Sequence, residues 1–119
     1  MSFRNLIVDS DYNISLVRGD TAYFDVPLVE VDDEGQETPY TPREGEILRF
    51  ALSTKFGAKR EEVLILKDIP INTMVLKIEP EDTKPFPFGK YKYDIEFTDI
   101  AGNVTTVLEA AFTVAKEVY

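Results

Sequence analysis

Tyr91-Lys92-Tyr93-Asp94-Ile95-Glu96-Phe97 alternates apolar and charged side chains without a break. Successive residues of a strand point to opposite faces, so Tyr91, Tyr93, Ile95 and Phe97 make one apolar face and Lys92, Asp94 and Glu96 a charged one. A strand that is dry on one side and wet on the other belongs to an antiparallel sheet covering a core on a single face. The following run repeats the pattern, placing Val104, Thr106, Leu108, Ala110, Phe112 and Val114 on one side. Asp99-Ile100-Ala101-Gly102-Asn103 lies between the two runs and offers Gly102 and Asn103 for turn conformations. Residues 89–115 therefore read as one hairpin.

Working outward, a period of two recurs along most of the chain and a helical period almost nowhere. Thr21–Val31 aligns Ala22, Phe24, Val26 and Leu28, with Pro27 marking an edge strand or a bulge. Asp32-Asp33-Glu34-Gly35 follows as a turn. Ile47–Ser53 turns Leu48, Phe50 and Leu52 inward, Val63–Lys67 is a short apolar run, and Met74, Leu76 and Ile78 alternate again. Asn13–Val17 completes a set of about seven strands at the spacing of an antiparallel, immunoglobulin-like β-sandwich. A short helical turn is expected near 80–84, where Pro80 suits a first helical position and Glu81 and Asp82 the first turn. Pro85 and Pro87 end it. The 119 residues fit one domain, with a core over about 13–115 and short terminal arms. Phe3, Leu6, Ile7, Val8, Val118 and Tyr119 make those arms apolar enough to dock.

Composition narrows function. Apolar residues make up 44% of the chain and charged ones 29%, as in an ordinary soluble domain. The 22 acidic and 13 basic side chains leave a net charge of −9, which disfavours phosphate backbones and anionic membranes alike. Lys55, Lys59 and Arg60, around Phe56, are too few for a nucleic-acid site. Absence of cysteine removes disulfides and thiolate chemistry, and absence of histidine removes the commonest general base and metal ligand. Nothing resembles a signal peptide or a membrane span, so a cytoplasmic protein is expected and the sequons at Asn13 and Asn103 carry no meaning.

The groupings that suggest chemistry have plainer readings. Asp32, Asp33, Glu34 and Glu37 resemble calcium ligands but read better as an acidic, solvated turn. Asp94 and Glu96 could be a glycosidase pair, yet they alternate with Lys92 on a polar face that merely stays soluble. Arg18-Gly19-Asp20 reads as a tight turn rather than an integrin motif. Gly89-Lys90-Tyr91-Lys92-Tyr93 resembles a tyrosine corner, with Tyr91 tying loop to strand and Tyr93 in the core position often held by cysteine. Tyr91, Tyr93, Phe97, Gly89, Phe24 and Phe50 are thus expected to be structural. Tyr40, Phe56, Phe86 and Phe88 lie in loops without periodicity. Some of these plug the ends of the sandwich, and those left exposed, with Phe3 and Tyr119, mark a partner surface. No catalytic, metal or cofactor residue is expected.

Several segments in order resemble small β-sandwich structural proteins of tailed bacteriophages and prophages. They are Leu16–Phe24, the acidic hairpin ending at Gly35, Tyr40-Thr41-Pro42 before Ile47–Phe50, Leu76–Thr83, Phe88–Asp94 and Gly102–Val107. Their layout is similar to the N-terminal domain of phage upper baseplate proteins, across roughly residues 13–115. One departure is that the long helix following that domain in the larger baseplate proteins has no counterpart before Tyr119. The resemblance implies a non-enzymatic virion part, in a tail or baseplate, working by protein–protein contact with other virion proteins or with itself. The alternative is a carbohydrate- or calcium-dependent binding module on the same fold.

Overall fold

The computed structural model describes residues 5–8, 13–55, 59 and 62–116, the first of these segments through its backbone alone. It is mostly β, with ten strands and one short helix among the described residues. The strands are β1 (Asn5–Val8), β2 (Ile14–Val17), β3 (Ala22–Asp25), β4 (Leu28–Val31), β5 (Glu37–Pro39), β6 (Ile47–Ser53), β7 (Ile65–Ile69), β8 (Val75–Ile78), β9 (Gly89–Thr98) and β10 (Val104–Ala115). The helix α1 (Pro80–Thr83) falls where proline and the acidic pair place it. Asp82 caps it by accepting the Glu79 N–H at 2.7 Å.

A five-stranded sheet in the order β2-β10-β9-β6-β7 organises the molecule, beside a β1-β4-β5 sheet and a β3-β8 pair. The inner face of the large sheet supplies Leu48, Phe50 and Leu52 of β6, Tyr93, Ile95 and Phe97 of β9, and Phe112 and Val114 of β10. Leu28, Leu76 and Ile78 of the smaller sheets join the same cluster, with Val26 from the link between β3 and β4. Phe50 packs on Tyr93 with ring centroids 5.3 Å apart, and Phe112 meets Tyr93 edge-on at 6.3 Å. Phe24 is half-buried against this cluster.

Ten strands replace the expected seven for identifiable reasons. Pro27, which cannot donate to a ladder, splits Thr21–Val31 into β3 and β4, which join different sheets. β5 is a three-residue edge strand containing Pro39 and has no alternation to read. β1 lies within the stretch read as an arm, yet it pairs antiparallel with β4 in the register Asn5↔Val31 to Val8↔Leu28. The pairing is also not wholly antiparallel, because β2 runs parallel to β10 from Ile14↔Phe112 to Ala115↔Val17. The apolar run expected at 63–67 forms its strand two residues later, which buries Ile65 and Ile69 and leaves Leu64 and Leu66 exposed.

The 89–115 hairpin is present with one correction. A β-bulge between Thr106 and Leu108 breaks the register of β10 on β9. Beyond it, towards the turn, every side chain changes face. Val107 is therefore buried, while Val104 and Thr106, expected inside, are exposed. The turn itself is built like the one joining β4 to β5. In each, an aspartate (Asp99, Asp32) accepts the N–H of the residue four on, Asn103 or Gln36, at 2.9 Å. In each, the glycine three on donates to the aspartate carbonyl at 3.0 Å. Gly102 and Gly35 sit at φ +90° and +81°, where a side chain would be strained. These two Asp-x-x-Gly loops are one hairpin device used twice.

Candidate functional site

Tyr91 is buried at the start of β9, and its hydroxyl donates to the Pro87 carbonyl at 2.7 Å. A strand-opening tyrosine bonded to backbone a few residues upstream is the geometry of a tyrosine corner. Gly89, exposed, opens the same strand opposite Val114. Phe86, one of the loop aromatics expected either to plug the core or to stay open for a partner, is half-buried with its ring 5.9 Å from Tyr91. Tyr40 is likewise taken inward. Its ring meets Phe97 edge-on at 5.7 Å, and its hydroxyl donates to the buried Glu46 carboxylate at 2.7 Å. Phe88 alone of the described loop phenylalanines stays exposed, under the Arg18 guanidinium at 4.5 Å. The Arg18-Gly19 turn is fixed from below, since fully buried Thr83 accepts the Gly19 N–H at 2.8 Å. Phe3, Phe56 and Tyr119 lie outside the described residues.

The outer face of the five-stranded sheet gathers groups that sequence reading treated separately. Cross-strand register places Leu66, Ala51, Asp94 and Glu109 in one row over β7, β6, β9 and β10. Asp68, Arg49, Glu96 and Thr106 form the next row, and Ile47, Thr98 and Val104 the one after. Arg49 binds Asp68 at 2.8 Å. Arg49, Ala51, Ser53, Val63, Leu66, Asp94 and Glu96 line a concavity of about 250 Å³.

Asp94 is the perturbed group of this face. Its Oδ1 is closed off from solvent and has no hydrogen-bond partner. Burial first, and then the like charges of Glu96 and Glu109, push its carboxyl up to about 6. Directly opposed like charges such as Asp94 and Glu109 destabilise a sheet. The face is also unusually apolar at its margins. Of the seven large hydrophobic residues exposed in the described structure, Ile47, Leu66 and Val104 lie on it. Leu64 immediately precedes β7, and Ile100 stands in the β9–β10 turn. The hydrophobic alternation pointed inward and so missed this clustering, which depends on strand register and on the bulge.

The acidic β4–β5 loop is a turn in which Asp32 Oδ1 is occupied by the N–H groups of Glu34 and Gln36, each at 2.9 Å. Among the described residues no group of three or more acidic side chains is placed to hold a metal ion. No helix there is long and apolar enough to cross a membrane. No protein-family model matches the chain, and no curated protein matches it in sequence.

Proposed function

We propose that this chain is a non-enzymatic structural module of a phage or prophage virion, a tail or baseplate component that works by protein–protein assembly. The fold reading behind it is an immunoglobulin-like sandwich. The strand order β7-β6-β9-β10 follows that of the larger sheet in a variable-type domain, β3 and β8 pair as in the opposing sheet, and Tyr91 opens the penultimate strand two residues before buried Tyr93. The ordered resemblance of residues 13–115 to baseplate domains supplies the virion setting.

The observation that carries assembly is the outer face of the five-stranded sheet. Exposed apolar residues scattered singly need no explanation, but three of the seven on this face, with Leu64 and Ile100 just beyond strand ends, favour a contact surface. The strand β7, at an edge of this sheet in the described structure, adjoins it. Light scattering on the chain alone, and on mixtures with each protein encoded beside it, tests this reading. A defined oligomer or complex is expected. A monomer in every mixture overturns it.

A further inference from the structure

We propose that the concavity on the outer face of the five-stranded sheet seats an arginine side chain carried by a basic, partly apolar segment of a different protein. This rests on the assembly reading and names the partner's chemistry. Asp94 lines the concavity across Ala51 from Leu66, and its buried Oδ1 accepts no hydrogen bond. The carboxylate is half-buried with one oxygen unsatisfied, so a cationic donor that enters the hollow and pairs with its open side offsets part of that cost. Glu96 lines the same hollow, and Glu109 stands directly opposite Asp94.

Among the described residues, the charged groups on this face are Arg49 on β6, Asp68 on β7, Lys90, Lys92, Asp94 and Glu96 on β9, and Glu109 on β10. Arg49 is committed to Asp68 at 2.8 Å. Carboxylates therefore outnumber cations on a chain that already carries a net charge of −9. Leu66 and Val63 give the opposite wall an apolar surface. Carboxylates facing an apolar side match an arginine, whose planar donors pair with carboxylate while its aliphatic stem packs on hydrocarbon. Ile47, Val104 and Ile100 then take the apolar neighbours of that arginine. A second copy does not suit the face, because two copies laid sheet to sheet bring Asp94, Glu96 and Glu109 of each towards the other.

The test is an amide NMR titration of the isotope-labelled chain with two peptides of equal length. One alternates arginine with leucine and threonine, and the other has glutamate in place of each arginine. The arginine peptide is expected to shift the amides of Ala51, Leu66 and Asp94. Asp94→Asn should weaken that binding about tenfold or more, as expected when one partner of a desolvated charge pair is removed. Glu34→Gln, which removes an equal charge in the β4–β5 loop, should change it less than about twofold. The proposal is overturned if the glutamate peptide binds as well, if the shifts map elsewhere, if the two variants behave alike, or if the arginine peptide does not bind at millimolar concentration. Concentration-dependent shifts of the same amides in the chain alone would make a second copy the occupant. That outcome overturns the arginine seat and leaves assembly standing, whereas absence of any complex by light scattering removes the assembly reading itself.

Discussion

Phe97 and Glu96 are neighbours in β9 that meet opposite surroundings, Phe97 at 3% exposure against Tyr40 and Glu96 on the outer face. Phe97→Ala should cost about 3–5 kcal/mol, the range for a buried aromatic. Glu96→Ala should stay within about 0.5 kcal/mol by denaturant unfolding. Equal midpoints for the two would contradict the assigned inner face. Tyr91→Phe removes only the bond to Pro87 and should cost about 1 kcal/mol. Asp94 makes a pH-dependent prediction. Its folded carboxyl is raised from 3.8 to about 6, so the folded chain holds this proton more tightly than the unfolded one. That contribution to stability is full below pH 3.8 and lost as pH rises through about 6. Asp94→Asn should therefore raise Tm at about pH 7, with the gain vanishing below about pH 4. A Tm difference that is constant with pH would refute the assignment. The inward residues were legible because alternation is written directly in side-chain type. The strain at Asp94 was not, since it arises first from burial, which depends on how the strands pack, and only then from Glu96 and Glu109.

At the scale of the element, the 89–115 hairpin shows what alternation can and cannot supply. It marks both strands and the turn, and it places Tyr93 and Phe112 in the core. It cannot mark the bulge at Thr106–Leu108, because one extra residue leaves the sequence pattern plausible on either face. Two substitutions separate the readings. Val107→Ala should cost about 2 kcal/mol for its lost burial, whereas Val104→Ala, on a residue 59% exposed, should cost little. The reverse order would restore an unbroken register. β1 and β5 were illegible for another reason, namely that three or four residues are too few to display a period and their pairing depends on distant partners. The α1 turn was legible because proline at its start and acidic residues in its first turn act locally.

At the scale of the whole molecule, the five-stranded sheet divides the chain's apolar residues into those that hold it together and those offered outward. Its inner face shares one core cluster with residues of the smaller sheets, while its outer face carries exposed Leu66, Ile47 and Val104 and a hollow lined by Leu66 and Asp94. Composition legibly removed thiol and imidazole chemistry, but the outer face exists only once β6, β7, β9 and β10 are in register. The measurement that tests the central claim most directly is molar mass by light scattering from micromolar to millimolar concentration, on the chain alone and mixed with each protein encoded beside it. A defined complex is the predicted result, and Leu66→Lys, which puts a positive charge on the contact face, should weaken it. A monomer throughout, with no mixture forming a complex, would contradict the account.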